Sequence, residues 1–369
     1  MGEVIVENKK STLKSKGNFD GDFPFFISGK TIKTIDKSII DGENIYLPTG
    51  GNFFIHFYCG KASYSTDTWS LRTNRSTSIK YLFYYLLLNE KLIGEKYFKG
   101  ATIKHLQKKD FKDIEIPLPP FPEQQRIVSI LDECFAAIDK AKANAEQNLK
   151  NAAALFESYL QGVFENANWD KRKLSEVAKH SLGKMLDKNK NKGEPKKYLR
   201  NQNVRWFEFD LSDLNEMPFL ENEREKYTAI KGDVMICEGG YPGRAAIWEE
   251  DYPIYFQKAI HRIRFHNEEY NKWLLFYLFI LDKTGKLKSH FTGTGIQHFT
   301  GDALGKLIIP FPPLNKVTTI VHQLDALRAE TQKLEAVYQK KIADLEELKK
   351  SILKKAFAGE LKNEKAIAV

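Results

Sequence analysis

At two places the chain leaves a proline step and changes to an apolar spacing of four and three residues. After Pro122 the apolar positions are Ile127, Leu131, Cys134, Ile138, Ala141 and Ala145, then, past the polar Asn148, Ala152, Leu155 and Tyr159. The second set is Ile320, Leu324, Leu327, Thr331, Leu334, Tyr338, Lys341, Leu345, Leu348 and Ile352. That spacing puts one stripe on a helix and forms the heptad seam of paired helices. Between Pro122 and Phe164 there is no proline and only Gly162, so the pattern predicts one helix of about 40 residues, roughly 60 Å long. The second set predicts another of similar length. A stripe of this kind needs a covering partner. The small Ala141, Ala145 and Ala152 complement the larger Leu334, Tyr338 and Leu345 in an intramolecular coiled coil; the alternative is that each helix packs on its own globular neighbour.

The two proline steps, IPLPPFPEQQRIVSILD (116–132) and IPFPPLNKVTTIVHQLD (309–325), align under a shift of 193 residues, which holds without a gap from about Ile79 to Phe164. It pairs Leu82 with Leu275, Tyr84 with Tyr277, Phe98 with Phe291, Gly100 with Gly293, Ile103 with Ile296 and His105 with His298. Further on it pairs Pro119 with Pro312, Pro120 with Pro313, Asp132 with Asp325 and Phe164 with Phe357. A constant offset over such a span marks a tandem duplication. A duplicated chain folding back on itself gives internal two-fold symmetry most simply with antiparallel helices.

Residues 1–115 and 168–308 read differently. Short β-like runs (FPFFISG, NIYLPTGG, FFIHFYCG, KKYLRNQNV, DVMICEGG, KAIHRIRF) alternate with Gly, Asn and Asp turns before one apolar helix, a mixed α/β (α+β) pattern. The expected organisation is a globular unit (1–115), a spacer helix (116–167), a second unit (168–308), and a second helix with its tail (309–369). NWDKRKLSEV (168–177) opens the second unit and has no counterpart before MGEV, so the first unit is expected to be shortened and to lack that opening strand.

A chain of 369 residues suits two or more domains. The longest apolar runs, YLFYYLLL and WLLFYLFIL, are too short for a bilayer. The start has no basic-then-apolar signal pattern, and a cytoplasmic location is expected. Cys59, Cys134 and Cys237 are far apart, which suits buried, reduced thiols. The eight His residues form no metal-ligand spacing. The net charge is +9; the globular segments hold 18 Lys+Arg against 13 Asp+Glu and 24 against 20. Two basic units on a rigid spacer suit a reader of two places on one polyanion.

Reading bases requires Arg, Lys, Asn or Gln on base edges, over contacts to phosphate that carry no sequence information. YLRNQNVRW gathers Arg200, Asn201, Gln202, Asn203 and Arg205; the alternative is a polar strand with a solvated face. The turn EGGYPGRA presents Tyr241 and Arg244, or is simply a tight turn between strands. Lys184, Lys188, Lys190 and Lys192 form a mobile-looking basic run, read as a phosphate contact or a solvated loop. In the first unit the comparable positions by chain order are Ser28, Gly29 and Lys30, then Gly50, Gly51 and Asn52, then Gly60 and Lys61. Lys104 and Gln297 are candidates for phosphate contact. Beside them, the recurring His105 and His298 read as structural caps ahead of DNA ligands. Pro119, Pro120, Glu123, Gln124 and Gln125 rigidify the start of the first helix, with Glu123 suited to its positive end.

PLPPFPEQQ (117–125), its copy PFPPLNKV (310–317), the closing KKAFAGEL (354–361) and a globular unit before each helix resemble, over essentially the whole chain, the specificity subunit of type I restriction-modification systems. The resemblance implies two target recognition domains, each reading half of a split site in double-stranded DNA. It implies an antiparallel spacer that docks two methyltransferase subunits, with restriction/translocase subunits joining them. The docking positions it suggests are Pro119, Pro120, Glu123, Gln124 and Gln125, with Pro312 and Pro313. The second step carries Asn315 and Lys316 in place of EQ, so the two docking surfaces need not be equivalent. No cofactor is expected on this chain: S-adenosylmethionine would sit on the methyltransferase partner, ATP and Mg on the restriction partner. The sequence has no NPPY/F or DPPY/F step, no phosphate loop and no nucleophile-base pair, so the chain itself is not expected to be an enzyme. Two other readings remain open, a coiled-coil scaffold joining proteins and a free-standing bipartite DNA-binding regulator.

Overall fold

β-branched and aromatic runs bounded by glycine turns become short strands, and in each unit one interior strand of the larger antiparallel sheet is buried on both faces. In the first unit this is Glu43–Pro48, with Ile45 and Leu47 fully buried; in the second it is Val234–Cys237, buried throughout. The computed structural model describes residues 1–16, 20–165, 168–187 and 191–361. It divides into two compact units, Met1–Glu146 with Gln339–Val369, and Gln147–Tyr338. Each unit therefore contains a globular part and a portion of both long helices.

The first globular part has an antiparallel sheet in the order Ile5–Glu7, Thr68–Thr73, Glu43–Pro48, His56–Cys59. A second sheet runs Lys33–Ile35, Phe23–Phe26, Ser63–Tyr64, the last two parallel. The second globular part repeats both. Its first sheet is Ala178–Leu182, Ile260–Phe265, Val234–Cys237, Ala245–Ile247. Its other sheet is Asn215–Phe219, Glu194–Leu199, Ile254–Phe256, Thr228–Ala229, again with one parallel pair, Glu194–Leu199 beside Ile254–Phe256. The duplication thus extends into the segments where the sequences diverge. One feature differs: Lys171–Lys173 pairs with Ile308–Pro310 in the second unit, and among the described residues the first unit has no matching pair of strands.

The long helices are Phe121–Glu165 and Leu314–Phe357. In the first unit Ile127, Leu131, Phe135 and Ile138 pack with Tyr81 and Tyr84 of the apolar helix Ile79–Leu88 and with Ile352, Leu353 and Ala356. Asp132 anchors that helix, accepting from Lys80 Nζ at 2.6 Å and Tyr84 Oη at 2.5 Å. In the second unit Phe156 and Leu160 pack with Trp273 and Phe276 of Tyr270–Lys283 and with Val317, Val321 and Leu324. There Asp325 accepts from Lys272 at 2.7 Å.

The expected seam is therefore only partly the buried face. Leu155, Tyr159, Leu334 and Leu348 are exposed, while Phe156 and Leu160 are buried. The expected seam residue Ala152 is buried, but past it Phe156, 6.1 Å from the Phe276 ring of the aromatic helix Tyr270–Lys283, and Leu160 take the buried face, so the stripe turns toward the globular part. All three cysteines are free; Cys237 is buried and Cys134 partly so, but Cys59 is exposed at the end of an edge strand, contrary to expectation. No described helix is long and apolar enough to cross a membrane.

Candidate nucleic-acid interface

In the second unit, the two polar motifs that the sequence separates by about 40 residues form one surface. The strand Glu194–Leu199 ends at Arg200, and Asn201–Asn203 make a single 3-10 turn. Asn203 is buried and holds this turn: its Oδ1 accepts the Arg200 N–H at 2.9 Å, and its Nδ2 donates to the carbonyls of Asp210 (2.9 Å) and Asp213 (3.0 Å). Arg200 is turned onto Asp213, donating to its carboxylate at 2.8 Å and its carbonyl at 2.6 Å. These two are corrections to the set of base readers: the Asn203 amide is used within the loop, and Arg200 is turned onto Asp213 with its Nε buried and unbonded. Gln202 is exposed, and its Nε2 donates to the same Asp213 carboxylate at 3.0 Å. Arg205 donates to the Gln202 carbonyl and stands 3.6 Å from Asp210.

The glycine turn docks directly on this loop. Asn201 Nδ2 donates to the Gly239 carbonyl at 3.0 Å, and Arg244 donates to the Asn201 carbonyl at 3.0 Å. Gly240 has φ +76, and a Cβ there would lie 2.3 Å from Asn201 Nδ2, so both its conformation and its surroundings require glycine. Arg244 lies over the Tyr241 ring at 5.2 Å; Tyr241 is exposed and its hydroxyl donates to Asp282 at 3.2 Å. Burial beneath the turn pushes the Cys237 thiol up to about 11, so it stays protonated at neutral pH.

His298 stands against the same turn, its ring 3.1 Å from where a Gly239 Cβ would be. His298 and Thr292 exchange backbone hydrogen bonds, and Phe299 N–H donates to the Glu238 carbonyl at 2.8 Å. A histidine pair, the buried His261 and the exposed His180, secures this segment from below. His261 Nε2 lies 2.8 Å from the Phe299 carbonyl and must donate to it, which leaves Nδ1 to accept from His180 Nε2 at 2.8 Å. Burial pushes His261 down to about 4, with His180 adding to the effect. Gln297 is exposed beside His298.

Strand pairing aligns the first unit with this arrangement. Phe26 beside Tyr64 corresponds to Leu199 beside Phe256, so Ser28 and Lys30 take the places of Asn201 and Asn203. The Ser28 hydroxyl donates to the Asp67 carbonyl, and Lys30 and Lys61 are exposed. Gly50 meets His105 as Gly239 meets His298, with the ring 3.2 Å from a would-be Cβ. The exposed Lys104 offers its carbonyl to the Gly51 N–H at 2.8 Å.

Lys184 is a third correction. Its side chain is 8% exposed, its ammonium lies 2.5 Å from Glu223 and donates to the Pro218 carbonyl at 2.9 Å, and it sits 4.9 Å from the Phe219 ring centre. The pairing of Lys184 with Gln257 draws the residue inward, away from a mobile run. Lys192 is exposed, and Lys188 and Lys190 lie outside the described residues.

At the first proline step Gln124 is buried, accepting the Ser78 N–H at 2.9 Å and donating to the Pro119 carbonyl at 2.9 Å. It locks the start of the long helix to the apolar helix, so it offers no surface to a partner. Glu123 is half-exposed and paired with Arg126 at 2.7 Å; Pro120 and Gln125 are exposed and Pro119 partly so. In the second copy Val317 is buried at the place of Gln124, Pro312 is buried with its carbonyl bonded to Tyr270 Oη at 2.7 Å, and Pro313 is exposed. Sequence reasoning missed Asp213 and the His180–His261 pair; nothing in their local sequence marks them. Among the described residues no group of three or more His, Cys, Asp or Glu is arranged to hold a metal.

The chain belongs to the type I restriction modification DNA specificity domain family, whose model matches residues 1–150 and again 166–346. Among its relatives, the type I restriction enzyme MjaVIII specificity subunit of Methanocaldococcus jannaschii is 25% identical over 397 aligned positions, covering 98% of this chain and 92% of that protein. The EcoDI specificity subunit of Escherichia coli is 26% identical, covering 98% and 87%. The fold is shared with a chain solved in a study of complex assembly and conformational transition of the type I R-M system (TM-score 0.72, 19% identity, 92% of each chain). It is shared also with the HsdS subunit from Thermoanaerobacter tengcongensis (TM-score 0.58, 19% identity, 92% and 91%).

Proposed function

We propose that this chain is the DNA sequence-specificity subunit of a type I restriction-modification complex, each globular unit reading one half of a bipartite target. The observation that carries this reading is a family domain that occurs twice on the chain, with a strand-end loop meeting a glycine turn beside His298 in the second unit and a glycine turn standing against the matching His105 in the first. In the second unit Arg200 is offset by Asp213 and Arg205 by Asp210. Such a face suits selective contact with base edges more than bulk neutralisation of phosphate.

The two long helices act as an antiparallel coiled-coil spacer that sets the gap between half-sites and docks methyltransferase subunits, which restriction subunits join. Supporting the antiparallel direction, Asp139 pairs with Lys349 at 2.9 Å and Lys142 with Glu346 at 2.6 Å, so the two long helices run oppositely within the first unit. The exposed Pro120, Gln125 and Pro313 are the docking candidates at the proline steps. In this reading the chain does no chemistry; S-adenosylmethionine belongs to the methyltransferase partner, ATP and Mg to the restriction partner.

The test is adenine-methylation mapping in cells carrying this chain with its methyltransferase partner, against cells lacking only this chain. A split motif with a fixed gap should vanish on deletion, and exchanging residues 168–308 should change one half alone. A demonstrated complex with an active methyltransferase but no motif dependent on this chain would favour the scaffold reading.

A further inference from the structure

The duplication singles out one more pair of residues. Residues 99–105 and 292–298 correspond one to one under the shift of 193, and all fourteen are exposed. Within these two runs of seven, three positions are identical in both copies: Gly100 and Gly293, Ile103 and Ile296, His105 and His298. The glycines have a structural reason. Their φ values are +151 and +103, and a Cβ would fall 2.3 and 2.4 Å from the carbonyl oxygens of Ile103 and Ile296. The histidines have one too, since each stands against the glycine turn of its own unit. The isoleucines have none: Ile103 is 61% and Ile296 77% exposed, so neither has been kept for packing in the core.

Both are the one large apolar side chain in an otherwise small or polar run, held at the tip of a rooted hairpin. Lys99 pairs with His105 in the first and Thr292 with His298 in the second, and Leu106 and Phe299 anchor the bases through N–H bonds to Thr49 and Glu238. A docking surface for a folded protein needs a contiguous apolar patch. A solitary aliphatic side chain at the tip of a hairpin rooted at its base, beside loops equipped for base edges, has the form of a wedge that enters between stacked base pairs and unstacks them. We propose that Ile103 and Ile296 are such wedges, each opening one base step in the half-site read by its own unit. The inference rests on the DNA reading above and adds that recognition includes local distortion of the duplex.

The test uses the complex of the full chain with its methyltransferase subunits and a duplex of the mapped target. A fluorescent adenine analogue, bright when unstacked, is placed in turn at steps flanking the methylated adenines. Wild-type complex should brighten the probe at one step in each half. Ile296→Ala should abolish the signal in one half only and weaken specific binding about tenfold, equivalent to ~1.4 kcal/mol; Ile103→Ala should do the same in the other half. Ile296→Leu should retain both. Equal brightening and affinity within about twofold in both alanine variants would overturn the wedge while leaving the DNA reading intact, as would alanine variants that fail only in assembly with the methyltransferase. Absence of specific binding by the wild-type complex would overturn both.

Discussion

Gln202 Nε2 donates to Asp213 Oδ2 at 3.0 Å, and this bond fixes the polarity of an exposed amide. A carboxylate only accepts, so the nitrogen end must face Asp213 and cannot exchange places with the oxygen. Asp213 is itself held by Arg200, and its carbonyl by Asn203. The remaining Gln202 N–H and its oxygen then offer one donor and one acceptor, the match for the N7 and N6 of adenine and a mismatch for the two acceptors of guanine. Asp213→Ala should relax the methylated motif at a single adenine in one half-site, by about 1–3 kcal/mol of lost discrimination, and leave the other half unchanged. Asp213→Asn, which keeps an acceptor, should largely preserve it. Methylation mapping of both variants checks this, and a uniform loss over the whole motif would count against the assignment.

Lys184 is a structural cation. Its ammonium is enclosed by Glu223, the Pro218 carbonyl and the Phe219 ring. Lys184→Met keeps the stem but removes the cation facing Glu223, and should lower unfolding stability by about 1–3 kcal/mol. The salt dependence of DNA binding should not change, whereas removal of a phosphate contact would reduce the slope of log K against log salt by about one.

The histidine pair makes the second unit acid-sensitive. His261 titrates near 4 in the folded chain, below its ordinary 6.5, because burial disfavours its charged form. Below about pH 6.5 the unfolded chain takes up a proton that the folded chain refuses until about pH 4, so this stabilisation is complete above pH 6.5 and declines as pH falls through that window. Denaturant midpoints measured from pH 7 to pH 5 should fall, and His261→Gln should flatten the slope. An equal slope in that variant would place the sensitivity elsewhere.

Gln124 offers a contrast between two residues predicted to share a role. Its buried amide joins Ser78 and Ser76 to Pro119, so Gln124→Ala removes the side-chain partner of three backbone groups and should cost about 1–3 kcal/mol of stability. The exposed Gln125→Ala should leave stability within about 0.5 kcal/mol and, if the step docks the methyltransferase, weaken assembly. Thermal unfolding and gel filtration of the complex separate the two effects.

The long helices, the duplication and the glycine turns were legible in the sequence because each is written in local spacing: a 4,3 stripe, a constant offset, a φ that only glycine tolerates. What could not be read depends on partners distant in the chain. Lys184 looked like part of a basic run until its sheet brought Pro218 and Glu223 to it from 34 and 39 residues away. The seam turned by one position past Ala152, where Phe156 and Leu160 pack on Trp273 and Phe276. Equivalence of Ser28 with Asn201 is invisible in the residues themselves and emerges from the parallel pairing of Phe26 with Tyr64 and Leu199 with Phe256.

The spacer reading makes a quantitative demand on the target. A helix rises ~1.5 Å per residue, so one added heptad lengthens it by about 10 Å, the rise of roughly three base pairs. Inserting seven residues into both long helices, in the stretch around Asn148 where the first carries mostly exposed side chains and at the facing part of the second, keeps each apolar stripe in register with its unit. The methylated motif should keep both halves and gain about three base pairs in its gap. Insertion into one helix alone should break the Asp139–Lys349 and Lys142–Glu346 register or bulge, and abolish methylation. A motif whose gap is unchanged by the double insertion would mean that something other than the helices measures the distance.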